Sequence, residues 1–308
     1  MDGEVEEIRF EVMSSRAHVL VVGGPPGAAA WARARAAELE ARWTRFAPSE
    51  VTDLNERTGE PVDVSRETLR LVEASVTAWE ATDGRFDPTV LRAVVASGYD
   101  RSIDVLDRDD DRPAGVVEPS PGLGGVFVWP DLRRVMLPDG VAIDPGGIGK
   151  GLAADLIVDG LLDRGALGAL VNLGGDTRVA GRPPSGAAEW VVSVDDPLRA
   201  GEELARLALA DGGVATSSRL RRRWRRAGEE LHHLIDPRTG RPTDTDVLAV
   251  TVVAGTGWWA EATTKSIVVA GSELGLASLV AASAIVVRTD GTWRATSDLE
   301  GAVRDRSG

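Results

Sequence analysis

The sequence predicts an α+β fold with mixed, largely antiparallel sheets flanked by helices. Most strand-like segments follow one another over short turns, as antiparallel neighbours do. The strongest helical patterns are few and widely separated. The 308 residues are 43% hydrophobic, which is enough for one large core or two modest ones. Because no clear boundary divides the chain, we expect residues 1–308 to form a single domain.

The first half of the chain predicts one long strand followed by helices. A strand is expected over residues 10–22, helices over 28–43 and 65–82, a tight turn at 84–87 and a short helix through Val95. Asp63 or Ser65 is a suitable N-cap for the second helix.

Residues 107–125 are rich in Asp, Pro and Gly and predict a flexible acidic linker. Asp107, Asp109 and Asp111 have the spacing of the first ligands of a calcium loop. Arg112, however, stands where that loop requires Gly. A solvated linker is therefore the better interpretation.

From residue 126 onward, strand patterns dominate. Strands are expected at 126–129, 135–137, 169–171, 190–194, 204–209, 213–216, 231–235, 247–253 and 284–288, with helices from Lys150 to about Arg164 and around Ala260. The stretch 266–287 is long and apolar, but its glycines and serines favour a buried helix, turn and strand over a membrane span.

Charge and cysteine content exclude several classes of protein. The net charge of −13 argues against general affinity for nucleic acid or anionic membranes. Six arginines around Trp224 in residues 219–226 are better interpreted as a strand with a cationic edge than as a nucleic-acid site. Without cysteine there is no disulfide, thiol nucleophile or cysteine metal site. Among the 35 basic residues only Lys150 and Lys265 are lysine.

Residues 143–155, Ile-Asp-Pro-Gly-Gly-Ile-Gly-Lys-Gly-Leu-Ala-Ala-Asp, form the most informative motif. A glycine-dense turn opens a helix, whose N-terminus favours anionic oxygens. Lys150 adds a positive charge, and Asp144 a carboxylate, at the same turn. The motif indicates a site for a phosphate ester.

Neither familiar phosphate-binding loop fits this motif. A P-loop requires Gly where Asp144 stands and Ser or Thr where Gly151 stands. The Gly-x-Gly-x-x-Gly spacing of dinucleotide-binding folds does not match Gly147, Gly149 and Gly151 either.

Two further motifs carry candidate chemistry. Residues 231–242 place His233 and Asp236 before a Pro-Arg-Thr-Gly turn, where the histidine could act as a base or where the segment could simply be a capped hairpin. On a helix, Glu261, Thr264 and Lys265 share one face and could bind a hard cation, but Glu261 and Lys265 could equally form an ordinary surface pair.

Taken together these motifs resemble the ApbE family, the FAD:protein FMN transferases. The resemblance runs in order from about residue 10 to 279, through Met13-Ser14-Ser15, residues 46–55, Gly84-Arg85-Phe86-Asp87-Pro88-Thr89, 143–155, 171–176, 214–218, 233–242 and 260–271. It implies a fold related to the T-fold with FAD in a central cleft. It also implies transfer of the FMN half of FAD, with Mg²⁺, to a Ser or Thr hydroxyl of an acceptor protein and release of AMP.

The resemblance also implies roles for individual residues. The positions that correspond to FAD contacts are Met13, Phe46, Arg85, Phe86, Asp87, Asp144, Lys150 and Ile235. Those that correspond to the metal site are the carbonyl of Gly147 and the residues Glu261, Thr264 and Lys265. The expected catalytic residues are His233 or Asp144 as the base and Lys150 as a charge on the pyrophosphate.

The chain departs from the family's usual pattern at three positions. Glu261 stands for Asp, Lys265 for Thr, and Ser218 for Gly. An ammonium cannot ligate a metal ion, so Lys265 either replaces part of the metal's charge or removes the site.

Two alternatives to the transferase remain. One is an FAD pyrophosphatase that yields FMN and AMP, and the other is an FAD-binding protein without turnover. Because neither a signal peptide nor a lipobox cysteine is visible, we expect a cytoplasmic location, with FAD and a flavinylated protein as partners.

Overall fold

The structure is a computed structural model that describes residues 4–107 and 109–304. It divides into two compact units, each built from separated segments of the chain. Unit 1 consists of residues 4–38, 150–218 and 246–304, and unit 2 of residues 39–149 and 219–245. Helices accompany antiparallel sheets, so the predicted α+β class is confirmed. The single domain stays a prediction.

The helices of the described residues were largely predicted. They are α1 Ala28–Trp43, α2 Glu50–Glu56, α3 Arg66–Ala81, α4 Leu91–Ala96, α5 Gly149–Asp163, α6 Gly257–Ala270 and α7 Ser272–Ala277. Ser65, and not Asp63, caps α3, since its hydroxyl accepts the Thr68 N–H at 3.2 Å.

The strands are more numerous than the sequence predicts, and several of the predicted ones are longer than expected. In chain order they are β1 Val5–Val12, β2 Ser15–Val22, β3 Val62–Asp63, β4 Asp109–Asp110, β5 Phe127–Trp129, β6 Arg134–Met136, β7 Gly168–Leu173, β8 Asp176–Gly181, β9 Trp190–Asp195, β10 Glu203–Leu209, β11 Gly212–Ser218, β12 Arg223–Arg226, β13 Glu229–His232, β14 Ile235–Asp236, β15 Arg241–Pro242, β16 Val247–Ala254, β17 Ala282–Arg288 and β18 Trp293–Ala295.

Unit 1 is built on an eight-stranded antiparallel sheet. Its strand order is β1-β2-β7-β8-β11-β16-β17-β18, and α6 packs on β11 and β16. The sequence predicted no strand between residues 171 and 190, so it missed β8, which follows Gly174 and Gly175. These two glycines form a hairpin turn with φ of 67° and 102°, which only glycine adopts without strain.

The predicted strand over residues 10–22 is wrong in one respect, since it is a hairpin. Met13 and Ser14 form the turn between β1 and β2, with φ of 53° and 50°. Two positive φ angles match the twist of paired strands. Such turns are usually marked by Asn or Gly, and this sequence lacks that signal.

In unit 1, α5 and α6 approach each other closely at two glycines. A Cβ on Gly151 would lie 2.3 Å from the carbonyl oxygen of Gly257. Beside this contact the Asp155 carboxylate of α5 accepts the N–H groups of Gly257 at 2.7 Å and Trp258 at 2.9 Å. It thereby caps α6, whose N-cap residue Thr256 makes no side-chain cap. Gly at position 151 is therefore a packing requirement.

We expect Gly151→Ala to destabilise the protein by about 1–3 kcal/mol, because the added methyl group forces two backbones apart. Gly255→Ala is the matched control. A Cβ there meets nothing within 4 Å, so its effect should stay within about 0.5 kcal/mol. Urea unfolding of both variants measures the difference. Equal stability of the two would contradict the close helix contact.

Unit 2 has its own apolar core around Trp224. The core residues are Ala93, Val94, Tyr99, Ile103, Leu106, Trp224, Leu231 and Ile235. The indole Nε1 of Trp224 donates to the Ser97 carbonyl at 2.7 Å, so the buried polar atom of the largest core residue is satisfied.

The arginine-rich run is only partly a strand. β12 covers its last four residues, and Arg219 donates to the Thr245 carbonyl at 2.7 Å. Arg226 pairs with Asp110, and Arg223 with Glu230. These pairs explain the run as part of the structure of unit 2.

The acidic segment 107–125 is mostly without regular structure. The exception in this segment is β4, whose residues Asp109 and Asp110 pair in parallel with Arg225 and Arg226 of β12. Arg108 lies outside the described residues.

No helix within residues 4–107 and 109–304 is long and apolar enough to span a membrane. The apolar stretch 266–287 contains the end of α6, then α7 and β17, as predicted. The cytoplasmic location stays a prediction.

Candidate active site

The first turn of α5 carries Lys150 into a cluster of charged side chains in unit 1. Its Nζ donates to Glu261 Oε1 at 2.8 Å and to Asp176 Oδ2. Asp176 begins β8 and Glu261 lies in α6, so three elements position the cluster. Lys265, one turn beyond Glu261, donates to the same Oε1 at 3.3 Å. We call Lys150, Asp176, Glu261 and Lys265 the acid–lysine cluster.

The Glu261 carboxylate is fully buried and accepts three donors. Its Oε1 accepts both ammonium groups, and its Oε2 accepts the Gly151 N–H at 2.8 Å. A carboxylate at a helix N-terminus is stabilised by the unpaired N–H groups and the dipole. The helix N-terminus for which we expected an anionic ligand therefore already holds a carboxylate of the chain itself.

Thr264 is also fully buried, and its hydroxyl is engaged on both sides. It donates to the Glu261 carbonyl at 2.7 Å and lies 2.7 Å from the Ser217 hydroxyl of β11. These bonds fix Thr264 in α6, between the cluster residues Glu261 and Lys265.

Burial and charge oppose each other in this cluster. Burial raises the pKa of Glu261, but Lys150 and Lys265 outweigh it, so the net pKa is lowered. Burial and the Glu261 carboxylate raise the pKa of Asp176, against the effect of Lys150. Burial lowers the pKa of Lys265, against the two carboxylates. The net pKa shift therefore favours the charged form only at Glu261, whereas burial outweighs the opposite charges at Asp176 and Lys265.

In unit 2, Asp144 has both carboxylate oxygens in use. Oδ1 accepts the Gly146 N–H at 2.8 Å, and Oδ2 lies 3.2 Å from Arg45 Nε. Gly147 ends the short 3-10 turn Pro145–Gly147 that Asp144 caps. Asp144 therefore shapes the glycine-rich turn before α5.

Arg45, which pairs with Asp144, also packs against two aromatic rings of unit 2. Its guanidinium lies 4.2 Å from the ring centre of Phe46 and 4.9 Å from that of Tyr99. Phe46 is 42% exposed, whereas Tyr99 and Ile235 belong to the buried core. Of Phe46 and Tyr99, only Phe46 therefore offers an exposed ring to a ligand.

The predicted Arg85-Phe86-Asp87 segment is largely structural. Phe86 is buried, and its N–H donates to the Thr82 hydroxyl at 3.0 Å. Asp87 accepts the Thr89 N–H at 2.8 Å and its hydroxyl at 2.6 Å, and burial raises its pKa. Arg85 is half-buried in the turn that follows α3.

Asp236 caps the turn after His233. It accepts the Arg238 backbone N–H at 2.9 Å and pairs with the Arg238 guanidinium. His233 is half-buried in the bend between β13 and β14. The capped hairpin proposed as an alternative is therefore present as β14 and β15, and His233 lies just before it.

The neighbouring His232 is a buried structural residue. Its Nδ1 accepts the Leu234 N–H at 3.3 Å, and its Nε2 donates to the Thr243 carbonyl at 3.2 Å. This pattern requires a neutral ring. Burial, reinforced by Arg219, lowers the pKa of His232 to about 4.

We expect His232 to make the protein less stable in acid. Because the unfolded imidazole binds a proton near pH 6.5 and the folded one only near 4, stability falls as the pH drops through this window, by up to about 3 kcal/mol. His232→Gln should flatten this part of the profile, measured by urea unfolding from pH 7 to pH 4. An unchanged slope in the variant would contradict the neutral buried ring.

Comparison with known proteins decides the family. A model of the ApbE family matches residues 9–286, about nine tenths of the chain. The chain belongs to the ApbE family. Curated relatives named FAD:protein FMN transferase include those of Vibrio cholerae, 28% identical over 235 residues, and Treponema pallidum, 32% identical over 250 residues. The matches cover 74% and 75% of this chain and 69% and 67% of those relatives.

Solved structures of ApbE proteins share the fold. The ApbE protein of Thermotoga maritima superposes with a TM-score of 0.85 at 28% identity, covering 98% of this chain and all of that one. Flavinyl transferase ApbE of Pseudomonas stutzeri gives a TM-score of 0.80 at 23% identity, covering 98% of both chains. The predicted ApbE-like fold is confirmed.

The ApbE resemblance implies Mg²⁺, and the cluster of unit 1 does not fit that ion. The carboxylate oxygens of Glu261 and the hydroxyl of Thr264 are already hydrogen-bonded, and Lys265 has no lone pair to offer while it is an ammonium. An ammonium 4 Å from a metal cation would repel each of the cation's unit charges by about 4 kcal/mol at an effective dielectric of about 20. Within the described residues, no three His, Asp or Glu side chains are grouped as a metal site requires.

Sequence reasoning missed three residues that the structure brings to these sites. Asp176 and Ser217 appeared only within the 171–176 and 214–218 motifs, without a role, and Arg45 was not considered. Asp176 could have been suspected, because an acidic residue directly after a Gly-Gly turn is well placed at a strand end. Arg45 gave no signal among 33 arginines.

Proposed function

We propose that this ApbE protein transfers the FMN half of FAD to a Ser or Thr hydroxyl of an acceptor protein and releases AMP. The observation that carries the proposal is the acid–lysine cluster at the glycine-rich N-terminus of α5, in a chain that matches the ApbE family over residues 9–286. The Lys150 ammonium, held at that helix end by Asp176 and Glu261, suits the oxygens of a pyrophosphate.

The reaction is a single exchange at phosphorus. The acceptor hydroxyl oxygen bonds to the FMN phosphorus, the bond from that phosphorus to the bridging oxygen breaks, and AMP leaves with the bridging oxygen. The hydroxyl proton passes to a base. Lys150 stabilises the charge that develops on the phosphate oxygens, while Asp176 and Glu261 hold its ammonium in place.

We assign the base to His233. Both oxygens of Asp144, the other predicted base, already bond Gly146 and Arg45. A histidine titrates near neutral pH and suits proton transfer from a hydroxyl. Asp144 then acts as a positioning residue for the glycine-rich turn.

The remaining predicted FAD contacts form two groups in this proposal. Phe46 offers an exposed ring on which a flavin can stack, and Arg85 a cation. The second group contributes backbone contacts or the shape of the site. It consists of Met13 and of the buried residues Phe86, Asp87 and Ile235.

The test measures AMP release from FAD with and without an acceptor domain that carries a Ser/Thr flavinylation motif. We expect AMP to form only with the acceptor and in equal amount to the protein-bound flavin. AMP without adduct would identify an FAD pyrophosphatase instead. Intact FAD bound to the protein under both conditions would make this an FAD-binding protein without turnover.

We expect His233→Asn to lower the transfer rate by about 10²–10⁴-fold and to remove the acid limb of the pH–rate profile. Binding of FAD, followed by flavin fluorescence, should change little. A variant that keeps the wild-type pH profile would contradict the assignment of the base.

A further inference from the structure

The two lysines of this chain bond the same oxygen atom. Of 35 basic residues 33 are arginine, yet Lys150 and Lys265 both donate to Glu261 Oε1, at 2.8 Å and 3.3 Å. They come from different helices and lie 115 positions apart in the sequence. The chain uses arginine at every other such basic position, and its two lysines meet at this one oxygen.

The geometry of this site suits lysine better than arginine. Glu261 is fully buried, and the side chains of Lys150 and Lys265 are only 14% and 19% exposed. A compact ammonium can share one carboxylate oxygen with a second ammonium, whereas the planar guanidinium spreads its charge over a wide fork. The positive charges of Lys150 and Lys265 therefore both lie next to Glu261 Oε1.

The side-chain oxygens of Glu261 and Thr264, which the resemblance assigns to the metal, are already hydrogen-bonded. Glu261 Oε2 holds the Gly151 N–H, Oε1 holds both lysines, and the Thr264 hydroxyl bonds the Glu261 carbonyl and Ser217. The ApbE resemblance implies Asp and Thr where Glu261 and Lys265 stand. The longer carboxylate and the ammonium together form an internal ion pair across one helical turn.

We infer that Lys265 supplies, as a fixed ammonium, part of the positive charge that the family resemblance assigns to Mg²⁺, so that this chain transfers FMN without a divalent cation. The inference rests on the proposed function for its activity measurement. It concerns only where the neutralising charge comes from. The exchange at phosphorus, its leaving group and its proton are unchanged.

The first part of the test measures metal binding and needs no activity. Mn²⁺ is titrated into the FAD-loaded protein, and free Mn²⁺ is followed by electron paramagnetic resonance, with FAD alone as the blank. We expect the wild type to bind no more Mn²⁺ than the blank. The double variant Glu261→Asp/Lys265→Thr, which restores the ligands implied by the resemblance, should bind one ion per chain. One ion bound per wild-type chain would overturn the inference.

The second part measures FMN transfer in EDTA and in Mg²⁺. We expect the two wild-type rates to agree within about twofold, while the double variant is active only with Mg²⁺. Lys265→Met should lose about 10²-fold in both conditions, as removal of one stabilising charge does. Wild-type transfer that EDTA abolishes and Mg²⁺ restores would overturn the inference. Absence of transfer in every condition would instead refute the proposed function, and the Mn²⁺ titration would still decide the cluster.

Discussion

Lys150→Met will lower the rate of FMN transfer by at least about 10²–10³-fold. Lys150 is the cation that the first turn of α5 presents, and it bridges the buried Asp176 and Glu261 carboxylates. Removing it also leaves those carboxylates short of a partner, so we expect destabilisation of about 3–5 kcal/mol. Transfer assays and urea unfolding measure the two effects.

A matched control separates lost charge from lost fold. Lys150→Arg keeps the charge but brings a planar fork into a space shaped for an ammonium. We expect it to be more stable than Lys150→Met and still at least tenfold slower than the wild type. Full activity of Lys150→Met in a folded protein would refute the role of the cluster.

Glu261→Gln will destabilise the protein by about 3–5 kcal/mol, because two partly buried ammonium groups lose the carboxylate that they share. The amide oxygen of the introduced glutamine can still accept a hydrogen bond, so the destabilisation comes mainly from the lost negative charge. The free energy of unfolding from urea titration measures it.

A double-mutant cycle tests this explanation. Adding Lys265→Met removes one of the repelling ammonium groups, so Glu261→Gln/Lys265→Met should be less destabilised than the two single effects combined, with a coupling of about 1–3 kcal/mol. Strict additivity would show that Glu261 and Lys265 do not interact.

Much of the fold was predictable because its signals are local. The composition of α1 and the cap at Ser65 mark their helices without tertiary information. The Met13-Ser14 hairpin was not predictable, since both residues adopt positive φ without the usual Asn or Gly. β8 was missed because Gly174 and Gly175 mark a turn equally well with or without a following strand.

The candidate site was predictable only in part, for a different reason. The motifs at Lys150 and Glu261 were visible, but their pairing depends on the close approach of Gly151 and Gly257, which lie 106 positions apart. The sequence interpretation left open whether Glu261 and Lys265 form an ordinary surface pair. They do pair, but in a buried site and with Lys150 on the same oxygen.

The most direct measurement is mass spectrometry of an acceptor domain after incubation with FAD and either the wild type or Lys150→Met. We predict that the wild type adds one FMN by a phosphoester bond to a Ser or Thr of the acceptor, as located by fragmentation, and that Lys150→Met adds far less in the same time. An acceptor that stays unmodified with the wild type, or is modified equally by the variant, would contradict the account.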